Sequence, residues 1–265
     1  MDTAWLNNKC IVIVGATAGI GLSAASMFIK QGAKVVAVGR NEEVGLKAQN
    51  LLGKNAFVLC GNAVNPDTSI NAIEACVEKF GDFNGLYHVA GGSGRKMGDG
   101  PLHEMTLEGW NKTIELNLTS LMLSNQAAVR WFLKVNKSGS IVNMGSILGF
   151  SPSPVYFATH AYAATKSAVI GFTKSLAAYY AKNNIRFNVL VPGLVETPMS
   201  QRASKDEKIL AYIKTKQPLD GGRNGQPGDL DGLACYLLSD YSRFTTGQVI
   251  AVDGGWSISE GQINF

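Results

Sequence analysis

The chain has no apolar run near the roughly eighteen residues that a membrane-spanning helix requires. Its first ten residues, MDTAWLNNKC, also lack the basic-then-apolar order of a secretory leader. A cytoplasmic protein with no membrane partner is therefore expected. Charge of one sign is nowhere concentrated: 24 basic and 20 acidic residues are scattered along the whole length for a net +4, which leaves no tract suited to nucleic acid. Cysteine is scarce. Cys10, Cys60, Cys76 and Cys235 form no CxxC pair, and Cys10 and Cys60 lie in apolar runs, so buried free thiols are expected. His88, His103 and His160 show no HExxH spacing, and no metal site is expected. Without secretion, the N-x-T triplets at Asn111 and Asn117 carry no meaning as glycosylation sites.

What the chain does contain is alternation. Short β-branched runs at 10–14, 34–38, 56–60, 85–89, 140–144, 186–190 and 248–252 are separated by longer segments of helical period, beginning near 19, 42 and 67 in the first half. Seven such strands with intervening helices predict an α/β fold, a parallel sheet covered on both faces and doubly wound in the Rossmann-like manner. A chain of 265 residues is near the upper size for one such domain, and a single domain over 1–265 is expected. Two stretches break the rhythm. SPSPVYFATH at 151–160 has two prolines that forbid a strand or helix interior. The polar stretch 197–228, with a short helix expected around SKDEKILAYIK, reads as a substrate loop or lid.

GATAGIG follows the first strand directly, with Gly15, Gly19 and Gly21 in G-x3-G-x-G spacing. Glycines there allow a tight turn and a close backbone approach to a pyrophosphate at a helix N-terminus, which predicts dinucleotide binding. At the end of the second strand, where an acid would accept the ribose hydroxyls of NAD(H), the chain reads AVGRNEE. Arg40 offers a fork for a 2'-phosphate and favours NADP(H) over NAD(H). The other reading leaves Arg40 as a solvated loop residue, with Glu42 or Glu43 on the ribose, although those acids suit a helix N-terminus.

In HAYAATKSAV, Tyr162 and Lys166 stand four residues apart, so a helix carries both on one face. Alone, such a pair can be chemical or merely a surface contact. Taken with the glycine loop, however, these residues resemble the short-chain dehydrogenase/reductase family over essentially the whole chain. GATAGIG is similar to that family's cofactor loop, Asn117 in IELNLTS to its helix asparagine, Ser146 in IVNMGSILG to its active-site serine, and YAATK to its YxxxK. VPGLVETPM is similar to the segment flanking the nicotinamide carboxamide, and GQVIAVDGGW to the last strand. Two departures stand out. HVAG at 88–91 replaces the usual NNAG, keeping Ala90 and Gly91 and making His88 a structural substitute rather than a catalytic group. The interval from Ser146 to Tyr162 is three residues longer than usual.

The resemblance implies a catalytic set of Tyr162, Lys166, Ser146 and Asn117. It also implies cofactor contacts at Gly15, Thr17, Ala18, Gly19, Ile20, Gly21, Arg40, Asn62, Ala63, Ala90, Gly91, Tyr162, Lys166, Pro192, Gly193, Val195 and Thr197. The implied reaction interconverts a ketone and a secondary alcohol, with tyrosine as general acid/base. A phenol of pKa near 10 is ionised only about one part in a thousand at neutrality. Shifting it by roughly three units takes about 4 kcal/mol, which one ammonium about 4 Å away supplies at an effective dielectric near 20. Lys166 is expected to be that charge. Ser146 is expected to stabilise the developing oxyanion, and the resemblance makes Asn117 a relay residue orienting water behind the lysine; only when seen alone does Ser146 read as a turn residue and Asn117 as an ordinary helix polar.

Two alternatives stand beside a carbonyl reductase or alcohol dehydrogenase. One is a 3-oxoacyl-thioester (acyl-carrier-protein) reductase, for which Arg202, Lys205, Lys208, Lys214 and Lys216 could form a basic docking patch interrupted by Asp206 and Glu207. The other is a non-catalytic regulator that senses the dinucleotide. Phe150, Val155, Tyr156, Phe157, Leu194 and Met199 in the irregular loops suggest an apolar or ring-bearing small-molecule substrate, though core packing could claim some of them. The resemblance further implies a homodimer or homotetramer built through helices at 105–134 and 160–182.

Overall fold

A computed structural model describes residues 4–262. Seven strands form one parallel sheet: β1 (Cys10–Val14), β2 (Lys34–Gly39), β3 (Ala56–Cys60), β4 (Gly85–His88), β5 (Gly139–Met144), β6 (Ile185–Pro192) and β7 (Val249–Val252), in the order β3-β2-β1-β4-β5-β6-β7. The eight α-helices among the described residues are α1 (Gly19–Lys30), α2 (Glu42–Leu52), α3 (Pro66–Phe80), α4 (Leu107–Ile114), α5 (Ser120–Lys134), α6 (His160–Tyr180), α7 (Glu207–Lys216) and α8 (Asp231–Leu238).

Strand alternation divides the core. Ile11, Ile13, Val35 and Ala37 pack with Ala24 and Phe28 of α1 and Ala234 and Leu237 of α8. Cys10, Val12, Val14, Val36 and Val38 point the other way, against Ala72 and Cys76 of α3 and Ala128 and Phe132 of α5. With a side-chain period of two, one strand serves both faces, so its sequence reads as an unbroken apolar run. A third cluster joins Val189 and Val191 of β6, Val169 of α6, Ile209 and Ile213 of α7, and Trp256. It anchors the irregular segments beyond the carboxyl ends of the strands.

The expected elements hold with small shifts. β6 extends to Pro192 because Pro192 still faces Val252 of β7 in the register, whereas β4 stops at His88. The irregular 151–160 segment is neither strand nor helix until α6 begins at His160. One expectation fails: Cys60 is exposed, unlike the buried Cys10, Cys76 and Cys235. It ends the edge strand β3, where no neighbour covers the sheet's rim, and its thiol contacts the Arg40 carbonyl oxygen at 3.4 Å.

Candidate active site

Strand order reverses direction between β1 and β4, and a crevice opens there beyond the carboxyl ends of the strands. Its cleft of about 590 Å³ runs from Arg40, Asn62 and Ala63 at one end, past Gly15, Thr17, Ala18, Gly19, Ile20, Ala90 and Gly91, to Ser146, Tyr162, Lys166, Pro192, Gly193, Val195 and Thr197. Of the catalytic and cofactor residues implied by the resemblance, only Gly21 and Asn117 lie outside this lining; of the apolar loop residues expected at the substrate, Phe157, Leu194 and Met199 line the cleft, whereas Phe150, Val155 and Tyr156 do not. Gly21 is buried beneath the turn, where an added Cβ would run into the Gly15 carbonyl, and Asn117 sits behind the wall.

The first turn of α1 suits a phosphate. Ala18 caps it with no side-chain hydrogen bond and no acid stands in that turn, so the N–H groups that open the helix have no side-chain partner among the described residues. Gly15 holds φ +91°, and a Cβ there would come within 2.6 Å of the Ala90 nitrogen, so the turn closes only with glycine. At the far end Arg40 is exposed and lines the cleft. Glu42 and Glu43 lie instead in the first turn of α2, with Glu43 paired to Lys47 at 2.6 Å. No aspartate or glutamate lines the cleft among the described residues. The donor set thus fits a dinucleotide.

At the other end, Lys166 is buried and donates to the Met144 carbonyl at 2.9 Å, with its ammonium 5.5 Å from the centre of the Tyr162 ring. The pair therefore shares one environment. The expected direction of tuning does not hold in the protein alone. Burial raises the Tyr162 phenol above its ordinary value, and a hydrogen bond with Ser146 opposes that rise only in part. The lysine ammonium gives one of its three hydrogens to a carbonyl, and burial lowers Lys166 itself to about 8. Ser146 ends the loop after β5, where its oxygen also accepts from the Leu148 N–H at 3.3 Å.

Asn117 lies in a π-helical turn, Glu115–Thr119, that links α4 to α5. Such turns shift the backbone ladder and often mark functional positions. Its amide accepts from the Gly92 N–H at 3.0 Å and donates to the carbonyls of Gly92 at 2.8 Å and Thr113 at 2.9 Å. An added Cβ at Gly91 would come within 2.7 Å of this amide oxygen and 3.7 Å of the Lys166 nitrogen, so the asparagine packs directly behind the lysine. His88 is fully buried, its ring nitrogens 2.8 Å from Ser124 Oγ and 3.4 Å from Ser120 Oγ. Burial, and then the Lys166 charge, push it down to about 3, so it remains neutral. That is the structural substitution expected from HVAG.

Several residues of the site were not legible in the sequence. Asp99 accepts the N–H groups of Ala161 and Tyr162, each at 3.0 Å, capping a helix whose own Thr159 provides no side-chain cap. Gln217 binds both the N–H and the carbonyl of Leu194, fixing the backbone after Gly193. Arg95 enters the cleft from the loop after β4. No local pattern announces such contacts, because each partner lies far away in the chain. Two members of the basic patch suggested for the lid are engaged elsewhere: Lys216 is buried with its ammonium on the Ser259 carbonyl, and Arg202 reaches the Tyr156 carbonyl.

A parallel sheet in this order, with a glycine turn and a tyrosine-lysine wall at its switch point, defines a nucleotide-dependent oxidoreductase fold. The chain belongs to the short-chain dehydrogenase/reductase family. A family model described as Enoyl-(Acyl carrier protein) reductase matches residues 15–257. The chain is 33% identical over 256 residues to 2,5-dichloro-2,5-cyclohexadiene-1,4-diol dehydrogenase LinX of Sphingobium indicum, covering 96% of this chain and 98% of that one. It is 35% identical over 255 residues to 3-oxoacyl-[acyl-carrier-protein] reductase FabG of Thermotoga maritima, covering 94% and 98%. Among solved structures, a short-chain type dehydrogenase/reductase from Mycobacterium ulcerans superposes with a TM-score of 0.85 at 28% identity, over 96% of this chain and 92% of that one. The protein is accordingly an enzyme acting between CH–OH and C=O groups. No helix among the described residues is long and apolar enough to cross a membrane.

Proposed function

We propose that the protein is an NADP(H)-dependent carbonyl reductase whose general acid is Tyr162. The observation that carries this reading is a cleft without a carboxylate that ends in Arg40 on one side and in Ser146, Tyr162 and Lys166 on the other. When bound, the reduced nicotinamide supplies a hydride to the carbonyl carbon. Ser146 hydrogen-bonds the carbonyl oxygen as negative charge gathers there. The Tyr162 hydroxyl gives that oxygen its proton, a role suited to a phenol that burial keeps protonated. Lys166, buried and cationic below about pH 8, favours the phenolate left behind. Asn117 holds the backbone behind the lysine. The segment 197–228, with α7 packed on Trp256 through Tyr212, serves as the substrate lid, and the single domain works as a homodimer or homotetramer.

The test is hydride transfer over a panel of ketones and alcohols, with NADPH and NADH in parallel, for the wild type and Tyr162→Phe. Turnover with NADPH that falls about a hundredfold or more in the variant, with cofactor binding intact, is expected. Cofactor binding with no turnover of any carbonyl by either protein would instead make the chain a dinucleotide sensor. The FabG relative keeps a second reading open, reduction of an oxoacyl thioester on an acidic carrier protein. The exposed Lys205, Lys208 and Lys214 are what remains of a docking patch. Salt-sensitive activity on carrier-bound acyl chains would favour it.

A further inference from the structure

At the substrate end of the cleft, two arginines from distant parts of the chain meet at one atom. Arg95, in the loop between β4 and α4, and Arg202, in the segment after β6, each donate an Nη2 hydrogen to the carbonyl oxygen of Tyr156, at 3.1 Å and 3.0 Å. Tyr156 is itself held in place, its ring 5.3 Å from that of Tyr212 in α7, and its neighbour Phe157 packs edge-on to Trp256 at 5.5 Å. Both arginines line the cleft, and neither forms an ion pair among the described residues. Asp99 is the acid felt most by Arg95, but it is buried and both its oxygens are occupied by the N–H groups of α6.

Two like charges converging on one neutral oxygen repel each other. The Arg202 charge accordingly lowers the pKa of Arg95, in the same direction as its burial. A guanidinium carries five donors, and the Tyr156 carbonyl takes one from each arginine, which leaves forks facing a cleft without carboxylates. The group that relieves this arrangement is an oxoanion, bound by charge-assisted, bidentate hydrogen bonds. Leu148, Phe157, Met199 and Trp256 line the same end and offer it an apolar body.

We propose that Arg95 and Arg202 form an oxoanion subsite, so that the substrate is a ketone or secondary alcohol carrying a carboxylate or phosphate on an apolar skeleton. This deepens the reductase reading and rests on it. The test compares 4-oxocyclohexanecarboxylate with its methyl ester, and dihydroxyacetone phosphate with dihydroxyacetone, in the wild type, Arg95→Gln and Arg202→Gln. The wild type should prefer at least one anionic member over its neutral partner by about tenfold to a hundredfold in kcat/KM, and each substitution should move that ratio toward one. Which pair shows the preference separates carboxylate from phosphate. Equal use of charged and neutral members, a preference that neither substitution changes, or a loss of NADPH affinity as large as the loss for the anion, overturns the subsite. If no carbonyl is turned over, the reductase reading fails separately, and titration calorimetry with the two anionic compounds then decides. Binding weakened at least tenfold in the variants upholds the subsite, and no binding by the wild type overturns it.

Discussion

Asp99 takes the N–H of Tyr162 across 63 residues of sequence, and with its other oxygen takes the N–H of Ala161. One carboxylate thus caps α6 at the residue that carries the proposed acid, and negative charge at a helix N-terminus is favourable. Asp99→Ala is expected to lower unfolding stability by about 1–2 kcal/mol and to reduce kcat. Asp99→Asn keeps one accepting oxygen and should lose less of both. Urea unfolding with steady-state kinetics on the same samples checks the order.

Arg40 lines the cleft together with Asn62 and Ala63, where the proposed NADP(H) reading puts the 2'-phosphate. Its replacement by alanine should lower kcat/KM for NADPH about tenfold to a hundredfold, the worth of a charge-assisted hydrogen bond to a phosphate. The NADPH/NADH preference should shrink by the same factor. An unchanged ratio of the two cofactors in Arg40→Ala would make the arginine a solvated loop residue.

His88 sets a pH dependence of stability. Its folded pKa is depressed to about 3 from an ordinary 6.5, by burial and by the Lys166 charge. The unfolded chain therefore binds a proton that the folded chain refuses. The stability concerned is fully present above about pH 6.5 and is lost as pH falls from there toward 3. Between pH 7 and pH 5 the loss amounts to about 2 kcal/mol. In His88→Asn that part of the slope should vanish while the rest of the acid denaturation remains, which denaturant melts at the two pH values will show.

Asn117 makes three hydrogen bonds with one amide, all to backbone groups of Gly92 and Thr113. Asn117→Ala leaves them unpaired in a buried place and should cost roughly 1–3 kcal/mol. Asn117→Asp turns a donor into a second acceptor facing two carbonyl oxygens. It should cost more, and the deficit should narrow as acidification protonates the new carboxyl. Thermal melts of both variants at pH 7 and pH 5 separate the two cases.

Much of this architecture was legible in the order of residues. Runs such as CIVIV and AFVLC became strands at the expected residues, and GATAGIG and YAATK appear on one cleft, as their resemblance to family motifs implied. What was misread and what was missed share a cause. Cys60 was assigned to the interior because its run is apolar, but whether a strand end is covered depends on its place in the sheet, and β3 is an edge. Lys166 was expected to tune the phenol and to contact the cofactor, and the structure adds a hydrogen bond to the Met144 carbonyl at the neighbouring strand end, a partner no local spacing announces.

Periodicity and short motifs by themselves determined the seven strands, the helices that follow the first three of them, the glycine turn and the tyrosine-lysine face, because these depend on backbone preferences and on spacings of a few residues. Tertiary structure alone decided that Asp99 caps α6, that His88 is locked neutral between two serines, and that Arg95 and Arg202 meet at Tyr156. Those contacts join residues tens of positions apart. Their energies come from burial and charge in a geometry that exists only once the chain has closed on itself.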